Sequence, residues 1–330
     1  MSRLSFLSSF VLLITLITSP VFAGTAYYVD CSAPKNGDGT YASPWNKIAS
    51  VNSYGFSVGD DVYFKEGTIC TPSAGLTIDW DGTSGDRIII GCYDGKNDFD
   101  CSDGGLTRPI IDGNNHTVPA VDYGLIQMKS KALTGYLTVQ DMRVNNSASE
   151  GISTNHVDYV TVENCYVYQP KEQGILLGRC HDCTASDNIV ERSSYNNRYR
   201  AGIEVSAVDS PDAVYNVTVK RNTVFGAYEC IGVYNGARNV TIEENVVYDC
   251  RVVGIYLEAS KDCVVRYNLI YESAIGPPDD EDGMYSGIHT MHEDRHCNQG
   301  GIYPFGNDGH EIYGNLLASI KNPINLANSE

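Results

Sequence analysis

The stretch VTIEENVVYDCRVVGIYLEASKD (residues 240–262) repeats the stretch directly before it, VTVKRNTVFGAYECIGVYNGARN (residues 217–239). Both open with Val-Thr and an aliphatic residue. Both then carry two charged residues and an asparagine, which is Asn222 in the first stretch and Asn245 in the second. A unit of 23 residues that returns with the same pattern predicts a repeat architecture.

Two markers keep the phase of this repeat along the chain. The asparagine position recurs at steps of 23, 23, 34, 23, 23 and 47 residues, and it is filled by Met142, Cys165, Asn188, Asn222, Asn245, Asn268 and Asn315. The second marker is an aliphatic residue, usually after glycine: Ile152, Ile175, Ile203, Ile231, Ile255, Ile288 and Ile324. The second marker follows the first by nine or ten residues, except after Asn188 (fifteen) and Asn268 (twenty). Two markers that recur together indicate stacked units of one kind.

Each unit alternates β-branched residues with polar ones and has no segment long enough for a helix, so it predicts two or three short strands. Such a unit cannot bury its own apolar face, and stacking buries it. The chain is therefore predicted to form a single-stranded parallel β-helix of about 23 residues per coil, a coil being one turn of the β-helix. An inward-turned asparagine at each corner would bond to its counterparts above and below, as a structural ladder.

The start of the predicted mature chain carries a second signal. YYVDCSAPKNGDGTYASPWNKIASV (residues 27–51) is followed by VGDDVYFKEGTI (residues 58–69). This segment and the repeats resemble the right-handed parallel β-helix proteins of the pectin-lyase-like superfamily. The resemblance implies an all-β, right-handed, single-stranded parallel β-helix over residues 24–330, with an N-terminal cap over about residues 24–60. A short capping helix is expected to begin at Ser43-Pro44 and to end at Asn52-Ser53.

The composition and the first residues of the chain indicate where the protein acts and which classes of molecule it binds. Arg3, an apolar run and Val21-Phe22-Ala23 predict a secretory signal peptide over residues 1–23, hence a secreted protein, extracellular or periplasmic. No further apolar run predicts a membrane span. A formal net charge of −18 argues against nucleic acid, since phosphate binding needs a basic surface. We expect a monomer whose partner is a polysaccharide.

Cysteine usage agrees with an oxidising compartment. Eleven cysteines are present, all after the predicted signal peptide. Cys92 with Cys101, which flank a polar loop, is the best candidate for a disulfide, and Cys31 with Cys70 is the second.

Insertions into the repeat indicate where chemistry lies, because loops of solenoids gather on binding faces. Four insertions fall within residues 192–200, 207–216, 274–285 and 292–309, around the strand that carries the Gly-Ile marker. If the marker isoleucines point inward, alternation turns a chemically rich set outward: Glu204, Tyr234, Tyr256, Glu258 and His289. Aromatic rings beside carboxylates suit carbohydrate.

The first mechanistic hypothesis is β-elimination of a uronic-acid polymer. Tyr256 and His289 occupy the same position in adjacent coils, as an acid–base pair requires. The substrate carboxylate would be neutralised from the loops by three candidate residues: Arg198, Arg200 and Arg295. Resemblance to alginate-lyase-like members implies a lysine base, an arginine and carboxylate-bound calcium. Lys261 and Glu258 are candidates, but His289 stands where the comparable arginine is expected, and no complete motif is present.

Two alternatives stay open. Hydrolysis would pair Glu204 with Glu258, about 10–12 Å apart, which exceeds the inverting separation of about 6.5–9.5 Å, unless Asp280 or Asp282 intervenes. The same two aspartates are the candidate ligands if Ca²⁺ is a cofactor, although a solvated turn is the preferred interpretation of their loop. The third hypothesis is a non-catalytic carbohydrate-binding or adhesion module.

Overall fold

The computed structural model describes residues 24–94, 101, 107–118, 124–129, 134–194, 200–207, 214–273, 284–291 and 308–327. In this part of the chain, each coil after the first strand and helix contributes three short parallel strands, one to each of three sheets. The predicted right-handed parallel β-helix is confirmed. No helix in these ranges has the length and apolar character needed to cross a membrane.

Sheet I contains the first strand of each coil. Among the described residues it has ten strands: β1 (Ala26–Val29), β2 (Asp61–Lys65), β5 (Ile88–Tyr93), β8 (Leu137–Gln140), β11 (Val160–Glu163), β14 (Thr184–Ser186), β17 (Tyr215–Lys220), β20 (Arg238–Glu243), β23 (Val264–Arg266) and β26 (Glu311–Tyr313).

Sheet II contains the second strand of each coil, directly after the asparagine corner. Its nine strands within the described ranges are β3 (Ile69–Cys70), β6 (Ile110–Asp112), β9 (Arg143–Asn145), β12 (Tyr166–Tyr168), β15 (Ile189–Glu191), β18 (Thr223–Phe225), β21 (Val246–Tyr248), β24 (Leu269–Tyr271) and β27 (Leu316–Ala318).

Sheet III contains the third strand, which carries the Gly-Ile marker. The described residues place nine strands in it: β4 (Leu76–Ile78), β7 (Gly124–Lys129), β10 (Glu150–Asn155), β13 (Ile175–Gly178), β16 (Ala201–Ser206), β19 (Glu229–Tyr234), β22 (Val253–Glu258), β25 (Ser286–Met291) and β28 (Asn322–Ala327). The marker isoleucines pair with one another in register from β7 to β28.

The predicted asparagine ladder is present between sheets I and II. The Oδ1 atom of each asparagine accepts a hydrogen bond from the backbone N–H of the residue at the same corner of the preceding coil. Where that residue is also an asparagine, its Nδ2 donates to the same Oδ1; these bonds are 2.9–3.0 Å long. Each Nδ2 also donates to a backbone carbonyl at 2.8–3.0 Å. Every polar atom of these side chains is therefore hydrogen-bonded, which offsets the cost of removing the amide groups from water.

The N-terminal cap is present, but its helix begins later than predicted. Helix α1 covers only Ile48–Asn52, with Lys47 at the N-cap and Ser53 at the C-cap. The predicted start at Ser43-Pro44 was wrong because Trp45 is extended and pairs with β1, donating its N–H to the Tyr28 carbonyl. The predicted end is confirmed. Ile48 and Val51 are buried in the same core as the coils, so the helix covers the apolar end of the solenoid.

Disulfides support both sequence-based pairings. Cys31–Cys70 and Cys92–Cys101 are bonded, and a third bridge, Cys230–Cys250, joins residues of neighbouring coils. Within the described residues the free thiols are all buried: Cys165, Cys180, Cys183 and Cys263.

Candidate active site

The outer face of sheet III carries the predicted residues in the predicted register. Ile203, Ile231, Ile255 and Ile288 are buried in the core. The residues one position later stand side by side in β16, β19, β22 and β25: Glu204, Gly232, Tyr256 and His289. Tyr256 packs with Tyr234 in a cluster separate from the core of the coils. Both side chains are buried, at 8 % and 7 % exposure, although outward positions on this sheet were expected to be exposed.

Tyr234 lies back across its own strand. Its hydroxyl donates a hydrogen bond to Oε2 of Glu229, at the other end of β19. A Cβ at position 232 would overlap this hydroxyl, so glycine is what lets the ring cross the strand. Burial, and then the negative charge of Glu229, raise the pKa of Tyr234 well above its usual value, so the phenol stays protonated.

Three aromatic rings follow one another across the coils. The Tyr234 and Tyr256 rings meet edge to face with centroids 5.7 Å apart, and the Tyr256 and His289 rings are 5.2 Å apart. Ala201, Val253 and Met291 pack around them. The rings of Tyr256 and His289 are therefore neighbours, and three buried glutamates of the same face act on the adjacent Tyr234: Glu204, Glu229 and Glu258.

His289 is chemically the least satisfied group of the three. Its Nε2 atom is buried and has no hydrogen-bond partner in the protein. Burial lowers the pKa of His289 below its ordinary value. The ring is therefore mainly neutral at neutral pH, and a proton on Nδ1 would leave a lone pair at Nε2.

Glu204 is a buried carboxyl on the same face. It is 3 % exposed and accepts a 2.8 Å bond from Nε2 of Gln173. Burial raises the pKa of Glu204 to about 7, against the lowering influence of the Arg200 charge and of Gln173. Arg200 also pairs with Glu172, Nε to Oε2 at 3.2 Å. Near neutral pH about half of the Glu204 population thus keeps its proton.

The remaining predicted residues divide into three groups. Glu258 ends β22 on the same face and is buried. Lys261 is not brought to this face, because it lies at the next corner, in register with Arg238 and 3.8 Å from Asp308 (Nζ to Oδ1). Four predicted residues fall outside the described ranges: Arg198, Arg295, Asp280 and Asp282. The described residues contain no group of three or more side chains arranged to hold a metal ion.

Sequence reasoning missed one column of the site. Glu150, Gln173 and Glu229 lie two positions before the marker isoleucine, and two of them contact the predicted set, Gln173 through Glu204 and Glu229 through Tyr234. The residue directly before the isoleucine has no partner in the neighbouring strand. The alternation of inward and outward side chains therefore does not continue to the residue before it. A recurring polar residue two positions before the marker was the available signal.

Comparison with known proteins places this geometry in a family. A family model described as right handed beta helix region matches residues 150–330, more than half of the chain. The "Pre-neck appendage protein" of Bacillus phage B103 is 26% identical over 132 residues, which are 39% of this chain and 13% of that protein. This chain therefore spans only a small part of the length of the curated relatives that it matches.

Two solved structures share the fold over nearly the whole chain. Pectate lyase Pel9A superimposes with a TM-score of 0.61 at 12% identity, covering 92% of this chain and 79% of that one. An alginate lyase from Paenibacillus sp. superimposes with a TM-score of 0.53 at 13% identity, covering 91% and 99%. At such low identity the likeness concerns the architecture.

Proposed function

Since the chain belongs to the right-handed β-helix family, we propose that it is a secreted carbohydrate-active enzyme that cleaves a polysaccharide on the outer face of sheet III. The favoured reaction is β-elimination in a uronic-acid polymer. Disulfide bonds and the predicted signal peptide support secretion. Two proteins of the same fold are named as lyases of pectate and alginate.

One observation carries the proposal: the neutral His289 imidazole, with an unpartnered Nε2, lies beside the phenol of Tyr256. Nε2 would remove the proton from the sugar carbon next to the carboxylate. The electron pair forms the ring double bond, the glycosidic C–O bond breaks, and Tyr256 protonates the leaving oxygen. Imidazole and phenol thus exchange one proton each with the substrate, and solvent restores both.

Charge around the site must also allow an anionic substrate. The positive charge of Arg200 opposes the rise in the pKa of Glu204, so this part of the face carries a cation as well as carboxyl groups. The raised pKa of Glu204 reduces the negative charge that the substrate meets. Arg198 and Arg295 remain candidates for the same task. Ca²⁺ remains an optional cofactor under this proposal, with no ligand set assigned.

The test is an incubation of the protein with polygalacturonate, alginate and a neutral β-glucan. Elimination produces an unsaturated sugar, so we expect a rise in the ultraviolet absorbance of the new carbon–carbon double bond conjugated with the carboxylate. Cleavage without this absorbance, seen only as new reducing ends, would contradict elimination. Binding without cleavage would contradict catalysis on these polymers and favour the binding or adhesion module.

Hydrolysis is the second candidate, and the protonation state of Glu204 favours it. A carboxyl with a pKa of about 7 is suited to protonate a glycosidic oxygen at neutral pH. Glu229 and Glu258 supply further carboxylates on the same face. Under this candidate Glu204→Gln abolishes the release of reducing ends, whereas under elimination His289 is the essential residue.

A further inference from the structure

We propose that Cys180 and Cys183 close a fourth disulfide bond when the chain matures in an oxidising compartment. The proposal concerns a covalent modification of the fold and is independent of the function proposed above. Three disulfides already join other cysteines of the described residues, as is usual for chains that mature under oxidising conditions. Cys180 and Cys183 lie three positions apart, and their side chains contact each other.

The pair lies at the corner between β13 on sheet III and β14 on sheet I. Cys180 and Cys183 are 0 % and 1 % exposed and belong to the core of the coils. Arg179 and Asp182 have positive φ angles of 49° and 54°, and these two bends turn positions 180 and 183 toward the same interior. The two thiols are hydrogen-bonded to each other. Closing the bond therefore joins two sulfur atoms that are already neighbours.

Other coils show how this corner differs from its counterparts. The same two positions recur in three aligned coils: Val214 and Val217, Ala237 and Val240, Ser260 and Cys263. Sγ of Cys183 donates to the His181 carbonyl at 3.4 Å. Sγ of Cys263 makes the corresponding bond to the Lys261 carbonyl at 3.5 Å. Of these aligned coils, the coil of Cys180 has a thiol at both positions, whereas the most similar corner has a serine hydroxyl in place of the first thiol.

The chemistry of the thiols decides when the bond forms. Burial, and then the hydrogen bond with Cys180, raise the pKa of Cys183 well above its ordinary value, so the folded pair stays protonated and unreactive. The bond must therefore form while the corner is still open to solvent. One thiolate attacks the disulfide of an oxidising thiol–disulfide oxidoreductase, and the second thiolate displaces that carrier. Two protons and two electrons leave the pair, the Sγ–Sγ bond forms, and the carrier is reduced to a dithiol.

Trypsin allows a direct measurement on the wild-type protein. Cleavage after Arg179 and after Arg192 releases both cysteines in one peptide, residues 180–192, because no lysine or arginine lies between them. The secreted protein is denatured without reductant in an excess of maleimide and digested, and the mass of this peptide is measured. We expect a peptide without maleimide that is two hydrogen atoms lighter than the dithiol. A peptide that carries two maleimides, or one linked to another cysteine peptide, would overturn the proposal.

Intact mass provides a second test, in which the variant and its control change in opposite directions. With eight of the eleven cysteines bonded, wild-type protein should take up three maleimides, whereas five would mean that the pair is open. Cys180→Ser leaves Cys183 without its partner and should raise the number from three to four. Cys263→Ser, in the aligned corner, should lower it from three to two. A decrease in both variants would overturn the proposal.

Thermal melting of the same two variants tests whether the bond persists in the folded protein. Both variants replace one buried thiol by a hydroxyl, and Ser260 shows that the fold accepts serine at the position that aligns with Cys180. Cys180→Ser should melt about 5 °C below Cys263→Ser, because it also removes a cross-link that restricts the unfolded chain. Equal melting temperatures would contradict a disulfide in the native protein.

Discussion

Two rows of buried polar side chains run along this β-helix, and they differ in hydrogen bonding. At the corner between sheets I and II, Asn222 and Asn245 are at most 1 % exposed and every polar side-chain atom is bonded. On the outer face of sheet III, Gln127 and Ser153 are equally buried, but their polar side-chain atoms have no partner.

The comparison distinguishes buried polar groups that stabilise the fold from buried polar groups retained for function. The corner repeats one residue type, and each copy satisfies the next, so the row stabilises the solenoid by itself. The outer row changes type from coil to coil and leaves donors and acceptors unused. A protein retains such groups at a stability penalty, which is common at functional sites. The following predictions test this separation, from the largest expected effect to the smallest.

His289→Asn should reduce the rate of polysaccharide cleavage by about 10²–10⁴-fold, because it removes the base while keeping a polar group of similar size. The melting temperature should stay within about 1 °C, since Nε2 has no partner to lose. Steady-state kinetics on the cleaved polymer measures the effect. His310→Asn is the matched control, because burial also lowers the pKa of His310 but that residue lies beside sheet I. Equal losses in both variants would contradict a specific role for His289.

Asn245→Ala should lower the free energy of unfolding by about 3–5 kcal/mol, because it leaves Asn222 and the Val219 carbonyl without their partners. Chemical denaturation measures this change. The control is Asn239→Gly, in an exposed asparagine pair with Asn216. The backbone φ of residue 239 is +52°, which glycine adopts without strain, so a loss of less than about 1 kcal/mol is expected. If both variants lose the same small amount, the ladder is not what stabilises the corner.

Glu204 should make stability depend on pH. Its pKa is about 7 in the folded protein and near 4.5 when exposed, so between these values the folded state binds more protons than the unfolded state. The free energy of unfolding therefore falls as pH rises from about 4.5 to about 7, by at most roughly 3 kcal/mol. Glu204→Gln should flatten this part of the profile, as measured by denaturation at several pH values. If the free energy of unfolding of the variant depended on pH in the same way, a group other than Glu204 would be responsible.

Neighbouring residues of β10 provide the smallest and most closely matched comparison. Ser153→Ala removes an unpaired hydroxyl and should raise the free energy of unfolding by about 1 kcal/mol. Thr154→Val removes a hydroxyl that bonds to the Gly178 carbonyl at 3.0 Å and should lower it by about 1 kcal/mol. Denaturation curves recorded side by side reveal the sign of each change. If both variants changed the free energy of unfolding in the same direction, hydrogen-bonded and unpaired hydroxyls would not differ in the way we expect.

The coil could be predicted well from the sequence because the same residue pattern recurs in every coil. The asparagine position, the marker isoleucines and the outward set with Tyr256 and His289 all follow from counting. The start of α1 did not, since pairing of Trp45 with β1 is a long-range contact that local helix signals do not contain.

The site was predictable only in part for a similar reason. Glu229 and Gln173 escaped because the strand pairing is interrupted before the marker, which shifts the simple alternation. The missing hydrogen bond of Ser153 also could not be predicted, because it depends on the packing of the whole face. Lys261 lies close to Glu258 in sequence, yet the corner after β22 carries it to another side.

The most direct test is a crystal structure of the His289→Asn variant with an octamer of the polymer that wild type cleaves. The account predicts the sugar chain along the outer face of sheet III, with one unit at Tyr256 and position 289. A chain bound on sheet I or sheet II, or one with no sugar unit near position 289, would contradict it.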